Sequence, residues 1–375
     1  MLSTAYLVLA PLCDVMDALT LLGVRQTLAV LTSLALLYLL WRVARWRRTG
    51  AARLTRELRL VLRALGALVA FYGCTILAPR PMAPLALDDP DVVKFDVHSH
   101  TNASHDARAD FDVEANRAWH RAAGFDVAYI TDHKSFDGAN EAVRSNPRHA
   151  GDRLVFLSGL EFIEKGDHLN ALGANEQNVV WTRVDIRRAR PHLPPALQTE
   201  PVLIQTIPED LSAVPAPDTQ GRRGVLGIEL SDGAPRGIDQ GQRDRQLILR
   251  IADSLDLALV AGSNNHGWGR TAVAWSLMRI PGWRALTPDS LGTVIEQRIR
   301  VQRWHAVQVA ARRSPDPGRS SLTLAATLPA AAWNLLVTLS PAERVSWIVW
   351  AWVATALARL NEGWRRRRQR VSFAS

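Results

Sequence analysis

Apolar and polar positions divide the chain into three zones. Apolar stretches occupy residues 2–24, 27–41 and 60–78, and two more follow at 322–339 and 345–360. Between them, short β-rich runs at 92–97, 127–131, 154–157, 202–207, 225–230 and 257–261 alternate with helix-compatible segments such as 113–123 and 243–253. Strands alternating with helices over this length predict an α/β fold, either a barrel or an open sheet. Prolines at 79, 81, 84 and 90 cannot continue a helix. The division expected is therefore an anchor of two or three apolar helices at 1–80, a proline-rich linker at 81–91, a catalytic domain at 92–315, apolar helices at 320–362 and a basic tail at 363–375.

Composition narrows the class. The 375 residues hold only two cysteines, Cys13 and Cys74, both inside apolar runs, so a disulfide scaffold, a zinc finger and a cysteine nucleophile are unlikely designs. The net charge of +9 suggests nucleic acid, yet residues 88–284 carry 22 Lys or Arg against 28 Asp or Glu. The basicity belongs to the apolar ends, where seven of the thirteen tryptophans also lie. That pairing fits a lipid bilayer as partner, around a slightly acidic soluble centre, with no specific nucleic-acid binding expected.

The loop after the second apolar stretch carries Arg42, Arg45, Arg47, Arg48, Arg53, Arg56 and Arg59 against the single acid Glu57, and belongs on the cytoplasmic side. The third stretch then carries the domain out of the cytoplasm, across what would be a bacterial inner membrane. Residues 345–360 form the expected return crossing, while 322–339, broken by Pro329 and Asn334, form an interfacial or re-entrant helix. The competing orientation keeps the domain inside, on the strength of the arginines in 298–319.

The chemistry is concentrated in four segments. In DVHSHTNASHD, from Asp96 to Asp106, period-two spacing on a strand turns His98 and His100 to one face. TDH places His133 directly after an apolar run, GLEFIEKGDHLNALG offers Glu161 and His168, and GSNNHGWG places His266. Each follows a β-type run, at the strand end where α/β barrels build their sites. Four such constellations in order point to a multinuclear metal centre. His120, His149, His192 and His305 have no partners at metal spacing and read as structural or exposed residues. Lys134 and Arg270 adjoin the motifs and could bind a substrate phosphate.

The order and spacing of these segments resemble the PHP family, the metal-dependent phosphoesterase domain found with polymerases and in histidinol-phosphate phosphatases. The resemblance covers about residues 92–284, with an extension to 313. It implies a distorted (β/α)7 barrel binding two or three divalent ions, usually zinc, manganese or iron. His98 and His100 match the first motif, His133 the second, Glu161 and His168 the third, and His266 the fourth, with Glu161 as the bridging carboxylate. The acid of the first motif is Asp106, with His105 as the alternative. Two departures stand out: Asn264 replaces the usual aspartate of the fourth motif, and Ile207 falls where a further histidine is usual. Glu229 or Gln205 are the candidates to compensate.

The chemistry implied is hydrolysis of a phosphorylated small-molecule or nucleotide-like substrate by metal-activated water. Glu161 and His266 are the catalytic candidates, with Asp132 either shuttling the leaving-group proton or orienting His133. The rivals are an amidohydrolase-like hydrolase using similar ligands and a degenerate barrel that senses an anionic ligand.

Overall fold

The computed structural model describes residues 2–49, 54–164, 167–178, 180–181, 191–192, 201–217, 224–314 and 320–372. The expected domain boundary at 315 and the last three residues of the basic tail lie outside these. The strands are β1 (Val92–Asp96), β2 (Val127–Ile130), β3 (Val155–Glu164), β4 (Asp167–Leu172), β5 (Val180–Trp181), β6 (Pro191–His192), β7 (Val202–Gln205), β8 (Gly227–Asp232), β9 (Ala258–Gly262), β10 (Ala274–Arg279) and β11 (Gln308–Ala311). β5 and β6 form a separate ribbon. The other nine make one sheet in the order β11-β10-β1-β2-β3-β4-β7-β8-β9.

This sheet curls into a nearly closed barrel. Ser276 on β10 bridges the gap to β9, its hydroxyl accepting from the Ala261 N–H at 2.8 Å and donating to the Ala261 carbonyl at 3.2 Å. The (β/α)7 expectation is corrected on strand number and on direction. β4 is antiparallel to both of its neighbours, and β10 is antiparallel to both β1 and β11. β3 ends at Glu164 and β4 begins at Asp167, a separation too short for a crossover helix. The strands at 274–279 and 308–311 escaped the sequence reading because WSLM and QVAA are short and carry no flanking motif.

The elements follow from their sequences. β2 is buried along its whole length, as VAYI in the middle of a parallel sheet requires. Helix α5 (Val113–Ala123) starts where the Asp112 carboxylate accepts the Ala115 N–H at 2.8 Å, and stops at Gly124, whose φ of 83° suits a residue without a Cβ. Helices α6 (Asp137–Arg144), α7 (Pro235–Arg243), α8 (Arg245–Ser254) and α9 (Pro288–Gln302) complete the outer layer.

Of the two or three apolar helices expected before residue 80, the first stretch takes a different form from the other two. Residues 2–24 form two short helices, α1 (Thr4–Val8) and α2 (Ala10–Thr20), too short to cross a bilayer of ~30 Å. They fold onto the domain through buried polar groups. The Tyr6 hydroxyl donates to Asp14 at 2.8 Å, Arg80 pairs with Asp17 at 2.9 Å, and the Thr271 hydroxyl donates to Asp17 at 2.8 Å.

The next two helices, α3 (Val24–Thr49) and α4 (Leu54–Leu77), contain the two segments long and apolar enough to span a membrane among the described residues, Val24–Trp46 and Thr55–Leu77. Only 11% and 6% of their apolar windows are buried, so neither is a core helix. They lie side by side, joined by the Arg42–Glu57 ion pair and by the Tyr38 hydroxyl donating to the Leu60 carbonyl at 3.3 Å. At the C-terminus α10 (Ser321–Ala325) and α11 (Thr327–Thr338) lead into α12 (Pro341–Ser372), which carries the expected return crossing. α12 is not one of the two helices that meet the length and hydropathy of a span.

One buried acid in the outer layer has a measurable consequence. Glu296 on α9 accepts a hydrogen bond from the Tyr129 hydroxyl at 3.3 Å, and burial pushes its carboxyl from 4.5 up to about 7. Between those values the folded chain holds a proton that the unfolded chain releases, so raising the pH through this window destabilises the fold. The loss is absent below the unfolded value and complete above the folded one. Glu296→Gln keeps the acceptor and removes the titration. Thermal melts of the detergent-solubilised chain should show the variant gaining on the parent as pH rises from about 4.5 to about 7; parallel profiles would refute the assignment.

Candidate metal centre

The site is built at the carboxyl ends of β1, β2, β3 and β9. Beyond β1 and a bend at Val97, Ser99 is bridged to Asn265 beyond β9, with His98 and His100 on either side of it. Helix α5 pins this segment, since the Asn116 amide donates to the Ser99 hydroxyl and to the His100 carbonyl, each at 2.7 Å. Asp96 holds its start, accepting the backbone N–H groups of His98 at 3.1 Å and Ser263 at 2.9 Å. The other oxygen of Asp96 lies 2.8 Å from His120 Nε2, which gives His120 a buried structural partner.

With the backbone so held, both imidazoles meet Glu161. His98 Nε2 and His100 Nε2 each lie 3.2 Å from Glu161 Oε2, His133 Nε2 lies 3.3 Å from the same oxygen, and His168 Nδ1 lies 2.7 Å from Oε1. Burial raises the Glu161 pKa, but the imidazoles of His98, His100 and His168 outweigh it and hold the carboxyl well below the usual range. His100 and His133 are driven the other way, burial lowering each to about 4, so both rings are neutral at physiological pH. Neutral imidazole is the form that ligates metal.

His266 closes the cluster. Its ring stacks on His100 with centroids 3.9 Å apart, and its Nε2 lies 3.2 Å from Asp106 Oδ2, which is also 3.4 Å from His133 Nε2. Asp106 therefore faces the centre, while His105 is exposed and touches the group only through the edge of the His133 ring.

The two departures from the family pattern are answered by groups elsewhere. Glu229 Oε1 lies 2.9 Å from His98 Nδ1, and Asp232 Oδ2 lies 3.7 Å from the same nitrogen. Asn264 leans on this pair, its amide donating to Asp232 Oδ2 at 2.9 Å. The Ile207 side chain is buried among apolar residues, but its N–H donates to Glu229 Oε2 at 3.1 Å. Gln205 turns away and donates to the carbonyls of His168 and Thr206. Asp232 was not recognised from sequence, although its place at the carboxyl end of β8, in GIELSDG, is the same signal that marked the other ligands. Burial and the neighbouring Glu229 push its carboxyl well above the usual range.

Asp132 faces elsewhere. Its two oxygens accept from the Thr101 N–H at 2.6 Å and the Thr101 hydroxyl at 2.7 Å, and burial raises it to about 7. It holds the loop after His100 and makes no contact with His133 or Glu161 that would suit proton shuttling. Lys134 donates its N–H to the Glu161 carbonyl at 3.2 Å, and its side chain is exposed. Arg270 lines a cavity beside His266.

The residues fit divalent ions on their own chemistry. Nδ1 of His100 is buried without a hydrogen-bond partner, and Nε2 of His100 and of His266, although 3.2 Å from Glu161 and Asp106, lack hydrogen-bonding geometry to them. Such groups are costly unless something else pairs with them. Donor atoms within 4.8 Å of one another occur in four groups among the described residues: His98, His100 and Glu161; His133, Glu161 and His168; His100, His133 and His266; and His98, Glu229 and Asp232. Glu161 belongs to two of the four. With Glu229 at Nδ1, Nε2 is the His98 nitrogen turned toward Glu161.

No protein-family model and no curated protein sequence matches the chain. Among solved structures it is similar to PsfC from Pseudomonas syringae PB-5123, at 12% identity and a TM-score of 0.38, over 66% of this chain and 100% of that one. It is also similar to a protein from Bifidobacterium adolescentis assigned as a metal-dependent phosphoesterase, at 14% identity and a TM-score of 0.29, over 54% of this chain and 95% of that one. Likenesses this loose carry no functional argument, so the function rests on the side chains.

Metal content tests the assignment. His98→Ala combined with His100→Ala should lower the ions bound per chain by at least one in elemental analysis of the full-length protein. Asp132→Asn, at a side chain that hydrogen-bonds Thr101, should retain the parent stoichiometry. The opposite pattern would refute the ligand set.

Proposed function

We propose that the protein is a membrane-anchored, metal-dependent hydrolase of phosphate esters. The observation that carries this reading is the buried Glu161 carboxylate, contacted by four imidazoles and shared between two donor groups. His98, His100 and Glu161 would hold one divalent ion, and Glu161, His133 and His168 a second. His266 and Asp106 would complete a third position with His100 and His133. Ions held there supply activated water and neutralise charge on the phosphoryl oxygens.

The chain's own part is to place these donors without rearrangement. In the net reaction water adds to phosphorus, the bond to the alcohol oxygen breaks with its electron pair leaving on that oxygen, and the alcohol departs protonated. His266, partly exposed at the edge of the cluster, is the group best placed to meet substrate. Arg270, in the same cavity wall, would bind the phosphate. The sensor reading was motivated by Asn264 and Ile207, and Asp232 and Glu229 supply carboxylates where those two positions lack donors.

A screen of phosphomonoesters, phosphodiesters and nucleotides with added manganese or zinc tests the activity. Glu161→Gln should lower turnover by about a hundredfold or more. Parent activity in that variant would refute the bridging role. Metal with turnover of amides or carboxylic esters alone would favour the amidohydrolase-like reading.

The paired helices suggest a topology. If α3 and α4 cross as a hairpin with the arginine-rich loop inside, both of its outer ends, and with them α1, α2 and the barrel, lie outside the cytoplasm. Alkaline phosphatase fused after Asp88 should then be active, and a fluorescent cytoplasmic reporter at the same point dark. The reverse pattern would overturn the orientation and leave the enzymatic reading in place.

A further inference from the structure

The cavity beside the metal centre has an unusual lining. Its volume is about 270 Å³, and its lining includes His266 and Arg270 from the barrel and Leu19, Leu22, Tyr72 and Ile76 from the helices that precede it. Tyr72 and Ile76 are four residues apart on α4, so they share a face of a helix long and apolar enough to span a bilayer. Leu19 and Leu22 come from α2 and the turn after it. The cavity is thus lined both by a candidate ligand and by the end of a candidate membrane span.

Arg270 sits at the junction. Its Nη2 donates to the Leu77 carbonyl at 3.2 Å, the last residue of α4, while its Nε is buried with no hydrogen-bond partner. A guanidinium held this way has a donor left for an oxyanion, and charge-assisted bonds to phosphate are the strong use of such a donor. Asp106, in the same wall, already faces His133 and His266.

From this juxtaposition we infer that the substrate is the phosphate monoester of a long-chain amphiphile. Its phosphate lies between Arg270 and His266, and its chain runs along Leu19, Leu22, Tyr72 and Ile76 toward the bilayer. A water-soluble ester would gain nothing from the apolar wall, whereas each methylene buried there contributes binding. The bond broken is the one between phosphorus and the alcohol oxygen of the amphiphile, with water as the only co-reactant, releasing phosphate and the long-chain alcohol. The inference rests on the phosphoesterase reading and adds the class of alcohol.

Two measurements on the full-length, metal-loaded protein in nonionic micelles test it. Across alkyl phosphates from butyl to dodecyl, kcat/KM should rise by about fourfold per methylene over the first several members. A flat series overturns the amphiphile assignment while the phosphoesterase reading stands. No turnover of any ester at full metal occupancy overturns both. The second measurement needs no turnover: a long-chain alkyl phosphonate with a terminal photoreactive group should label peptides containing Leu22 or Ile76. Arg270→Ala and Ile76→Asp should each cut this labelling at least fivefold, and Ile76→Val should preserve it. Labelling confined to other surfaces, or unchanged in Arg270→Ala, overturns the placement.

Discussion

An ionised carboxylate buried to 3% exposure is tolerable only if its charge is answered, and at Glu161 His168 at 2.7 Å and His98 at 3.2 Å hydrogen-bond to it, with His100 and His133 within 3.3 Å. Those imidazoles come from the extension of β1, the end of β2 and the head of β4, so the carboxylate ties separate strands together. His133 and Glu161 are also bridged through their backbones, which sets the register at that point. The curl of the sheet brings the end of β9, and with it His266, back beside the extension of β1. The same arrangement gathers metal donors, so stability of the barrel and chemistry of the site rest on one constraint.

Two carboxyl groups of the centre come from one strand, β8. Asn264 is neutral, but it hydrogen-bonds Asp232, and Asp232 faces His98 together with Glu229. Close approach makes this possible: a Cβ on Gly262 would stand 2.4 Å from Glu229 Oε1 and 2.6 Å from the His98 Cβ. Any side chain at Gly262 would drive Glu229 and His98 apart.

A second buried polar network ties the flanking helices to the barrel. Asp17 pairs with Arg80 and accepts from Thr271, and Asp14 accepts from Tyr6 and from the Trp347 indole at 2.8 Å. These contacts join α2, the segment after α4, the loop after β9 and α12. The apolar ends are therefore not loose tethers on an independent domain. Their buried acids find partners in α1, the segment after α4, the barrel and the opposite terminus, and this brings the end of α4 beside the site.

Much of the barrel was legible because the local pattern is strong. The six β-rich runs between residues 92 and 261 correspond to strands, α5 has the bounds its capping residues predict, and period two accounts for His98 and His100 converging. Local spacing could not show the reversal of β4 and β10, since strand direction depends on which neighbour a strand finds in the folded sheet. Nor could it show that Asp132, between two well-marked motif residues, turns to Thr101 while Asp232 turns to His98. Asp14 and Asp17 lie within the apolar stretch 2–24, but only folding revealed their partners, among them those at 80, 271 and 347. The sequence by itself determined which residue types could bind metal and which runs could be strands or spans, because those are properties of composition and period. Tertiary structure alone decided which carboxylate faces which imidazole, because that depends on how separate strands and loops come together, where no local preference reaches.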